Sequence, residues 1–246
     1  MSQWRQTAAP VSLPLDRLDI WRLQLDATAS IEVDEVTLLS ADEVTRANRF
    51  RFQKDRRRFI VCRSALRRLL GEYLGIPSQE VSFEYSANGK PSLKPRDNPH
   101  GLCFNVAHSD DQVLIAFGGE HQLGVDIEKM RGDVDTKSLA ERFFSRRERE
   151  ELRALPEPSQ VPAFFACWCR KEAFIKAIGD GLSFPLADFS VSVHPDGRPV
   201  LEEIRGSVDS GLRWSLADLA VGNEYRAALA VDSLHLSIQT LSFPWR

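Results

Sequence analysis

No apolar run in this 246-residue chain approaches the roughly 18 residues that a membrane-crossing helix needs, so no bilayer span is expected. The opening residues lack a charged head followed by an apolar core, which sets a secretory signal aside and makes the cytoplasm the expected location. Cysteine is scarce. Cys62, Cys103, Cys167 and Cys169 form no C-x-x-C pair and no metal-ligand spacing, so buried free thiols are expected in place of disulfides or a zinc site. The usual nucleotide signatures are missing too. There is no glycine-rich loop ending in Lys-Ser/Thr, no G-x-G-x-x-G, no H-E-x-x-H and no nucleophile elbow. Any phosphate must therefore be held by separate arginine, lysine and histidine side chains. A net charge of only −3 announces no general affinity for nucleic acid.

What is present is the composition of a soluble globular protein, long enough for two halves that each bury a core. Charge is uneven along it. Residues 42 to 68 hold ten Lys/Arg against three Asp/Glu, a stretch that attracts polyanions. Ser40 followed three residues later by Glu43 is a capping-box pattern and predicts a helix start. The spacing of Phe59, Cys62, Leu66, Leu69, Leu70 and Tyr73 predicts a second helix over about residues 54 to 74, closed by Gly75 and Pro77. Arg56, Arg63 and Arg67 share another face of it, with Arg58 at the border of the apolar stripe. Short apolar runs at 81–85, 102–107, 113–117 and 123–128 read as strands, with a turn at Asn88-Gly89-Lys90. Helices are predicted over 138–155 and 162–178, with Pro162 in the first turn and Gly179 as the cap, then strands at 189–193, 200–204, 213–219 and 225–231. Helices followed by antiparallel strands, twice over, predict an α+β chain of two similar halves, 1–119 and 120–246.

Several residues could carry chemistry. In a strand over Gly124-Val125-Asp126-Ile127-Glu128, Val125 and Ile127 share one face while Asp126 and Glu128 share the other, roughly 6–7 Å apart. Two such carboxylates either face solvent or hold a cation, for which Mg²⁺ is the natural choice. On the 162–178 helix Glu172 and Lys176 stand four apart, either as a surface ion pair or as part of a site. Lys171 lies at the other edge of the apolar stripe, within reach of a cleft. His108 and Ser109 end a strand in a polar loop, simply exposed or donating to a phosphate; Lys90 tips a hairpin.

Taken together and in this order, these pieces resemble the Sfp-type 4′-phosphopantetheinyl transferases. The family's G-(V/I)-D-(I/V)-E strand stands here at residues 124–128, and its W-x-x-K-E-(A/S)-x-x-K helix at Trp168 to Lys176, about 40 residues on. G-K-P is at Gly89, Lys90 and Pro91, and F-N-(I/V)-(S/A)-H-S runs from Phe104 to Ser109. Arg142-Phe143-Phe144-Ser145 and residues 181–185 add similarity, so the likeness covers about residues 40–194. The resemblance implies a pseudo-dimeric α+β monomer with coenzyme A in a cleft between two α/β halves. It implies transfer of the phosphopantetheine arm to a serine of an apo acyl or peptidyl carrier protein, with release of 3′,5′-ADP. Carried over, Asp126, Glu128 and Glu172 look like the Mg²⁺ ligands, with Asp126, Glu172 and Lys176 catalytic. Arg46, Arg58, Lys90, His108, Ser109, Lys171 and Lys176 look like coenzyme-binding residues. One departure stands out: some relatives carry two lysines three apart in the first helix, where this chain has Glu43 and Arg46.

The expected partner is a small acidic helical carrier from fatty acid, polyketide or nonribosomal peptide synthesis. Residues 133 to 153, with Phe143, Phe144, Leu152 and several arginines, either present a face to that partner or turn their aromatics inward. Two other classes compete. A nucleic-acid module could be built on the arginines at 46–68, but Phe50, Phe52 and Phe59 fall partly on core stripes and the rest of the chain is acidic. A catalytically silent coenzyme A-binding scaffold is the other, against which the intact acid and lysine set argues.

Overall fold

The computed structural model describes residues 4–6, 13–14, 16–25, 33–179, 184–204, 213–234 and 237–243. In chain order its elements are β1 (Arg5–Gln6), β2 (Arg17–Gln24), α1 (Val33–Thr37), α2 (Ala41–Ala47), α3 (Gln53–Leu74), β3 (Phe83–Tyr85), β4 (Pro91–Leu93), β5 (Cys103–Ser109), β6 (Gln112–Gly118) and β7 (Leu123–Lys129). They continue as α4 (Thr136–Phe143), α5 (Arg146–Ala154), α6 (Glu157–Ile178), β8 (Phe189–Val191), β9 (Leu201–Ile204), β10 (Ser215–Asp218), β11 (Tyr225–Val231) and β12 (Ser237–Ser242). One sheet has the order β1-β12-β2-β6-β5 and another β10-β11-β7, with two small hairpins, β3-β4 and β8-β9. The α+β class expected from the sequence is what the chain adopts.

The period-two alternation of the strands builds a four-layer sandwich. Trp21, Leu23, Val113, Ile115 and Phe117 face α3 and pack on Leu66, Leu69 and Leu70. Their neighbours Leu18, Ile20, Leu114 and Ala116 face the other way and meet Val125, Ile127, Leu229 and Val231 of the second sheet. The far side of that sheet, Ala228 and Ala230, lies under Phe174 and the rest of α6. The two halves therefore share a central core. Side chains also stitch them: Asn105 Oδ1 accepts from Val125 N–H at 3.0 Å, and Ser109 Oγ accepts from Lys129 N–H at 3.0 Å. The last strand, β12, returns to the first sheet and runs parallel to β2, a pairing across the whole chain.

Local chemistry explains the ends of the elements. Ser40 and Glu43 form the expected capping box at α2, and Gly75 and Gly179 close α3 and α6 in the left-handed conformation at φ 66° and 82°. Three expectations need correction. The helix expected over 138–155 is two helices, because Ser145 and Glu148 form a second capping box that starts α5. Helix α6 begins at Glu157, five residues before Pro162, which sits inside it. Arg67 does not share a solvent face with Arg56: it is buried, with Nε 2.7 Å from Glu43 and Nη1 donating to the carbonyls of Ser78 and Val81. Glu43 is equally buried and also holds Arg63 at 3.4 Å, so this acid anchors α2 on α3 where some relatives place a lysine.

Helix α6 lies against β7 at backbone distance. A Cβ on Gly124 would lie 2.2 Å from the Ala173 carbonyl oxygen and 2.4 Å from the Ala177 nitrogen, both backbone atoms of the helix. Neither can yield without moving α6, so Gly124→Ala is expected to destabilise by about 1–3 kcal/mol, as overpacked cores do. For a chain of this size that is a fall in Tm of about 3–10 °C. Thermal unfolding followed by circular dichroism checks it; an unchanged Tm would mean that the helix is not held at this distance.

Candidate functional site

Because Gly124 lets α6 lie directly on β7, the other residues on the same strand face, Asp126 and Glu128, come to lie beside the helix positions Glu172 and Lys176. Lys176 Nζ donates to Asp126 Oδ1 at 2.6 Å. Burial works against the Lys176 charge, but the Asp126 carboxylate outweighs it and the ammonium is held above its ordinary pKa. Asp126 is almost fully buried, and among the described residues its second oxygen, Oδ2, has no hydrogen-bond partner. Glu128 accepts from Ser109 Oγ at 2.8 Å. Its pKa is raised, first by burial and then by Asp126, with the Ser109 bond opposing. Glu172 is raised as well, first by burial, then by Asp126 and also by Glu128, while Lys176 opposes. The three acids thus repel one another around a single ammonium.

That arrangement bears on whether a divalent cation fits. Among the described residues no three acid, imidazole or thiol groups already converge as a cage for a metal ion. The donor set still suits one. Among the described residues a buried carboxylate oxygen lacks a hydrogen-bond partner, and burial first, then the Asp126 charge, raises the pKa of two neighbouring acids. Mg²⁺ keeps several waters and is commonly held by one or two carboxylates plus substrate phosphate oxygens, so an incomplete protein cage agrees with its habits.

On the facing half, α3 and the β3-β4 hairpin enclose a cavity of about 390 Å³. Arg46, Arg58, Arg63, Phe59, Tyr85 and His108 line it. Phe59 and Cys62, expected in the apolar stripe, are only half-buried because they face this space. Arg46 lies over the Phe59 ring at 5.3 Å. Arg58 is held by Asp110 at 2.8 Å, and Asp110, at φ 50°, also takes Lys129 at 2.6 Å. His108 lies at the cleft, where burial first, and then the charges of Lys176 and Arg58, lower its pKa. It feels a lysine of one half and an arginine of the other.

The residues named from the sequence therefore divide. Asp126, Glu128, Glu172 and Lys176 are together; Arg46, Arg58 and His108 line the adjoining cavity. Ser109 is not turned to a ligand, since its hydroxyl joins Glu128 to the backbone of Lys129. Lys171 is not in the cleft at all. It is buried in the second half, donating to both oxygens of Glu148 and to the Phe189 carbonyl, each at 2.7 Å. Five residues separate it from Lys176, about 140° around a helix, so the two cannot face one site. Lys90 donates to backbone carbonyls at the end of α6, and burial holds its pKa down. Sequence reasoning missed Arg63 as a cavity residue and Asn105 as the link between β5 and β7. In residues 181–185, positions 181–183 lie outside the described residues. Phe144 and Leu152 turn inward, Phe144 stacking on Phe164 at 5.2 Å, so the aromatics at 133–153 belong largely to the core.

Comparison with known proteins shows what the chain is similar to. Residues 122–230 match the family model described as the 4′-phosphopantetheinyl transferase superfamily, and residues 29–120 match that of the 4′-phosphopantetheinyl transferase N-terminal region. The chain is similar to 4′-phosphopantetheinyl transferase HetI of Nostoc sp. strain PCC 7120, with 39% identity over 93% of each chain. It is 30% identical to 4′-phosphopantetheinyl transferase Sfp of Bacillus subtilis, over 75% of this chain and 81% of that one. A holo-(acyl-carrier-protein) synthase from Bacillus anthracis, solved in complex with CoA (3′,5′-ADP), is 25% identical over 46% of this chain and 96% of its own, with a TM-score of 0.36.

The acid cluster predicts a pH signature. Glu172 and Glu128 bind protons more readily in the folded chain than in the unfolded one, so between the ordinary carboxylate value of 4.5 and their raised values the native state carries more protons. Stability then falls as pH rises through that window. Glu172→Gln should raise the Tm measured without metal at about pH 7.5 by about 1–3 °C, and the gain should fade as the pH is lowered toward the ordinary value. Thermal scans of both proteins across pH check this; a lower Tm for the variant at neutral pH would remove the repulsion argument.

Proposed function

The chain belongs to the 4′-phosphopantetheinyl transferase superfamily, and we propose that it performs that transfer with Asp126, Glu128, Glu172 and Lys176 at the reacting phosphates and Arg46, Arg58 and His108 on the rest of coenzyme A. The observation that carries the assignment of roles is the buried, unpartnered Asp126 Oδ2 among mutually repelling acids, beside a cavity walled by arginines. Such a pair of walls suits a pyrophosphate that arrives with its own cation.

In this reading the oxygen of a carrier-protein serine attacks the phosphorus that bears the pantetheine arm. The bond from that phosphorus to the bridging oxygen breaks, and 3′,5′-ADP leaves with the electron pair. Phosphoryl transfer asks for in-line positioning and charge neutralisation more than for covalent help. Mg²⁺, bound by Asp126, Glu128 and Glu172, would supply neutralisation of charge on the phosphate oxygens. Lys176 and His108 hydrogen-bond the same oxygens, and Arg46 and Arg58 hold the nucleotide end by charge. Glu172 takes the serine proton. Among the described residues no hydrogen bond ties its carboxylate down, which leaves an oxygen available to accept the proton.

The division of labour follows the two halves, 1–119 for coenzyme phosphate binding and 120–246 for the metal and the base. The two family models meet at the same place, between residues 120 and 122. Both halves come from one chain, which supports a monomer, and no helix among the described residues is long and apolar enough to cross a membrane. The partner is an acidic acyl or peptidyl carrier, met in the cytoplasm where coenzyme A is available. The exposed arginines of α5 support such a partner, although Arg146, Arg147, Arg149 and Arg153 already pair with glutamates on or near α4 and α5.

The test is intact mass spectrometry of an apo carrier mixed with the protein, coenzyme A and Mg²⁺. Expected is a gain equal to the phosphopantetheine arm, abolished by EDTA. Glu172→Gln is expected to bind coenzyme A and to lose transfer by about 10²-fold or more. Normal turnover in that variant would remove Glu172 as the base. Tight coenzyme A binding without any mass gain on fatty-acid, polyketide and peptidyl carriers would point to a silent scaffold.

A further inference from the structure

The turn between β3 and β4 is tightly held. Gly89 adopts φ 78° and donates to the Ser86 carbonyl at 2.9 Å, while Ser86 N–H and Lys90 N–H are bonded to Lys90 O and Ser86 Oγ at 3.0 and 3.1 Å. Lys90 therefore leaves the turn in a fixed direction, and its side chain crosses from the first half to the second. Its ammonium donates to the carbonyls of Lys176 and Ala177, and reaches that of Leu123 at 3.5 Å. The first two are end-of-helix carbonyls with no partner inside α6, and a cation there is also favoured by the helix dipole. Leu123 precedes Gly124, the point of closest approach between strand and helix. Beside this, Asn88 Nδ2 donates to the Gly179 carbonyl at 3.3 Å.

Lys90 thus grips the backbone of the residue whose own ammonium lies on Asp126, and does so from the opposite half. An ammonium has three donors, and three carbonyls meet this one. We infer that Lys90 is a positioning residue: its side chain clamps the C-terminal end of α6 to β7 and to the β3-β4 turn, and so sets where Lys176 and Glu172 stand over Asp126, instead of binding coenzyme A itself. The inference rests on the reading of Glu172 and Lys176 as the reacting site. It differs from the coenzyme-binding role that the G-K-P resemblance implies for this lysine.

Lys90→Met keeps the aliphatic stem and removes the donors; Lys90→Arg keeps donors and charge. Steady-state transfer is measured at varied coenzyme A for both, with wild type first, and amide hydrogen exchange is measured at the end of α6 in the free proteins. A clamp predicts that Lys90→Met lowers kcat about tenfold with the KM for coenzyme A changed less than about twofold, that Lys90→Arg recovers most of kcat, and that the last amides of α6 exchange faster in the methionine variant only. A large rise in KM with kcat retained would overturn it in favour of a coenzyme ligand, and unchanged kinetics and exchange would show the contacts to be idle. If wild type transfers nothing, the functional reading fails, and the exchange at α6 still decides whether the clamp exists.

Discussion

Everything chemical in this molecule depends on one backbone-to-backbone contact, that of α6 on β7 at Gly124. A side chain at that position would occupy the space of the Ala173 carbonyl and the Ala177 nitrogen. Removing it brings the helix down until residues two and four further along the strand, Asp126 and Glu128, are level with Glu172 and Lys176. The glycine of the G-V-D-I-E segment is thus a packing residue, and the two acids are the side chains that it brings beside the helix. The alternation of a strand binds them into one motif, since Val125 and Ile127 must bury themselves in the central core for the acids to face the helix.

Charge inside the fold is treated in two ways. Glu43 with Arg67, Glu148 with Lys171, and Arg170 with Asp218 are ion pairs with at least one buried partner, and each is supported by further hydrogen bonds to backbone. Removing one member of such a pair typically costs about 3–5 kcal/mol, because the other is left charged in a poor solvent. The cleft breaks that rule. Asp126 Oδ2 has no partner, and the three acids share one ammonium. Glu43 Oε1 is likewise buried without a hydrogen bond but keeps Arg63 at 3.4 Å, whereas around Asp126 three acids lean on one ammonium.

Much of this was legible in the sequence, for identifiable reasons. The capping box at Ser40, the glycines that close α3 and α6, and the short apolar runs of β5 and β6 are local signals, and these hold. The strands β2 and β12 were not foreseen. They pair across more than two hundred residues, and no local pattern announces a partner that far away. The break between α4 and α5 had a signal, Ser145 with Glu148 three residues on, which the single helix expected over 138–155 passed over. Lys171 had one too. Helical phase alone separates it from Lys176, and the resemblance carried both lysines toward the phosphates where periodicity admits only one. Arg67 and Glu43 do more than the sequence told: helical spacing gave Arg67 a face and Ser40 gave Glu43 a cap, but not that the two are buried together and hold α2 to α3.

His108 supplies the last step. Its pKa is lowered first by burial and then by Lys176 and Arg58, and is raised by Asp126. Those groups come from α6, α3 and β7, so a single imidazole registers both walls of the cleft. The basic wall contributes arginines at 46, 58 and 63, and the acidic wall contributes carboxylates at 126, 128 and 172. A simple anion would favour only the first wall and a simple cation only the second. A polyanion that carries a divalent cation at one end would satisfy both at once, with the His108 imidazole at the junction. The placement of this histidine between the halves therefore brings the arginine-lined cavity and the acid cluster together at one cleft.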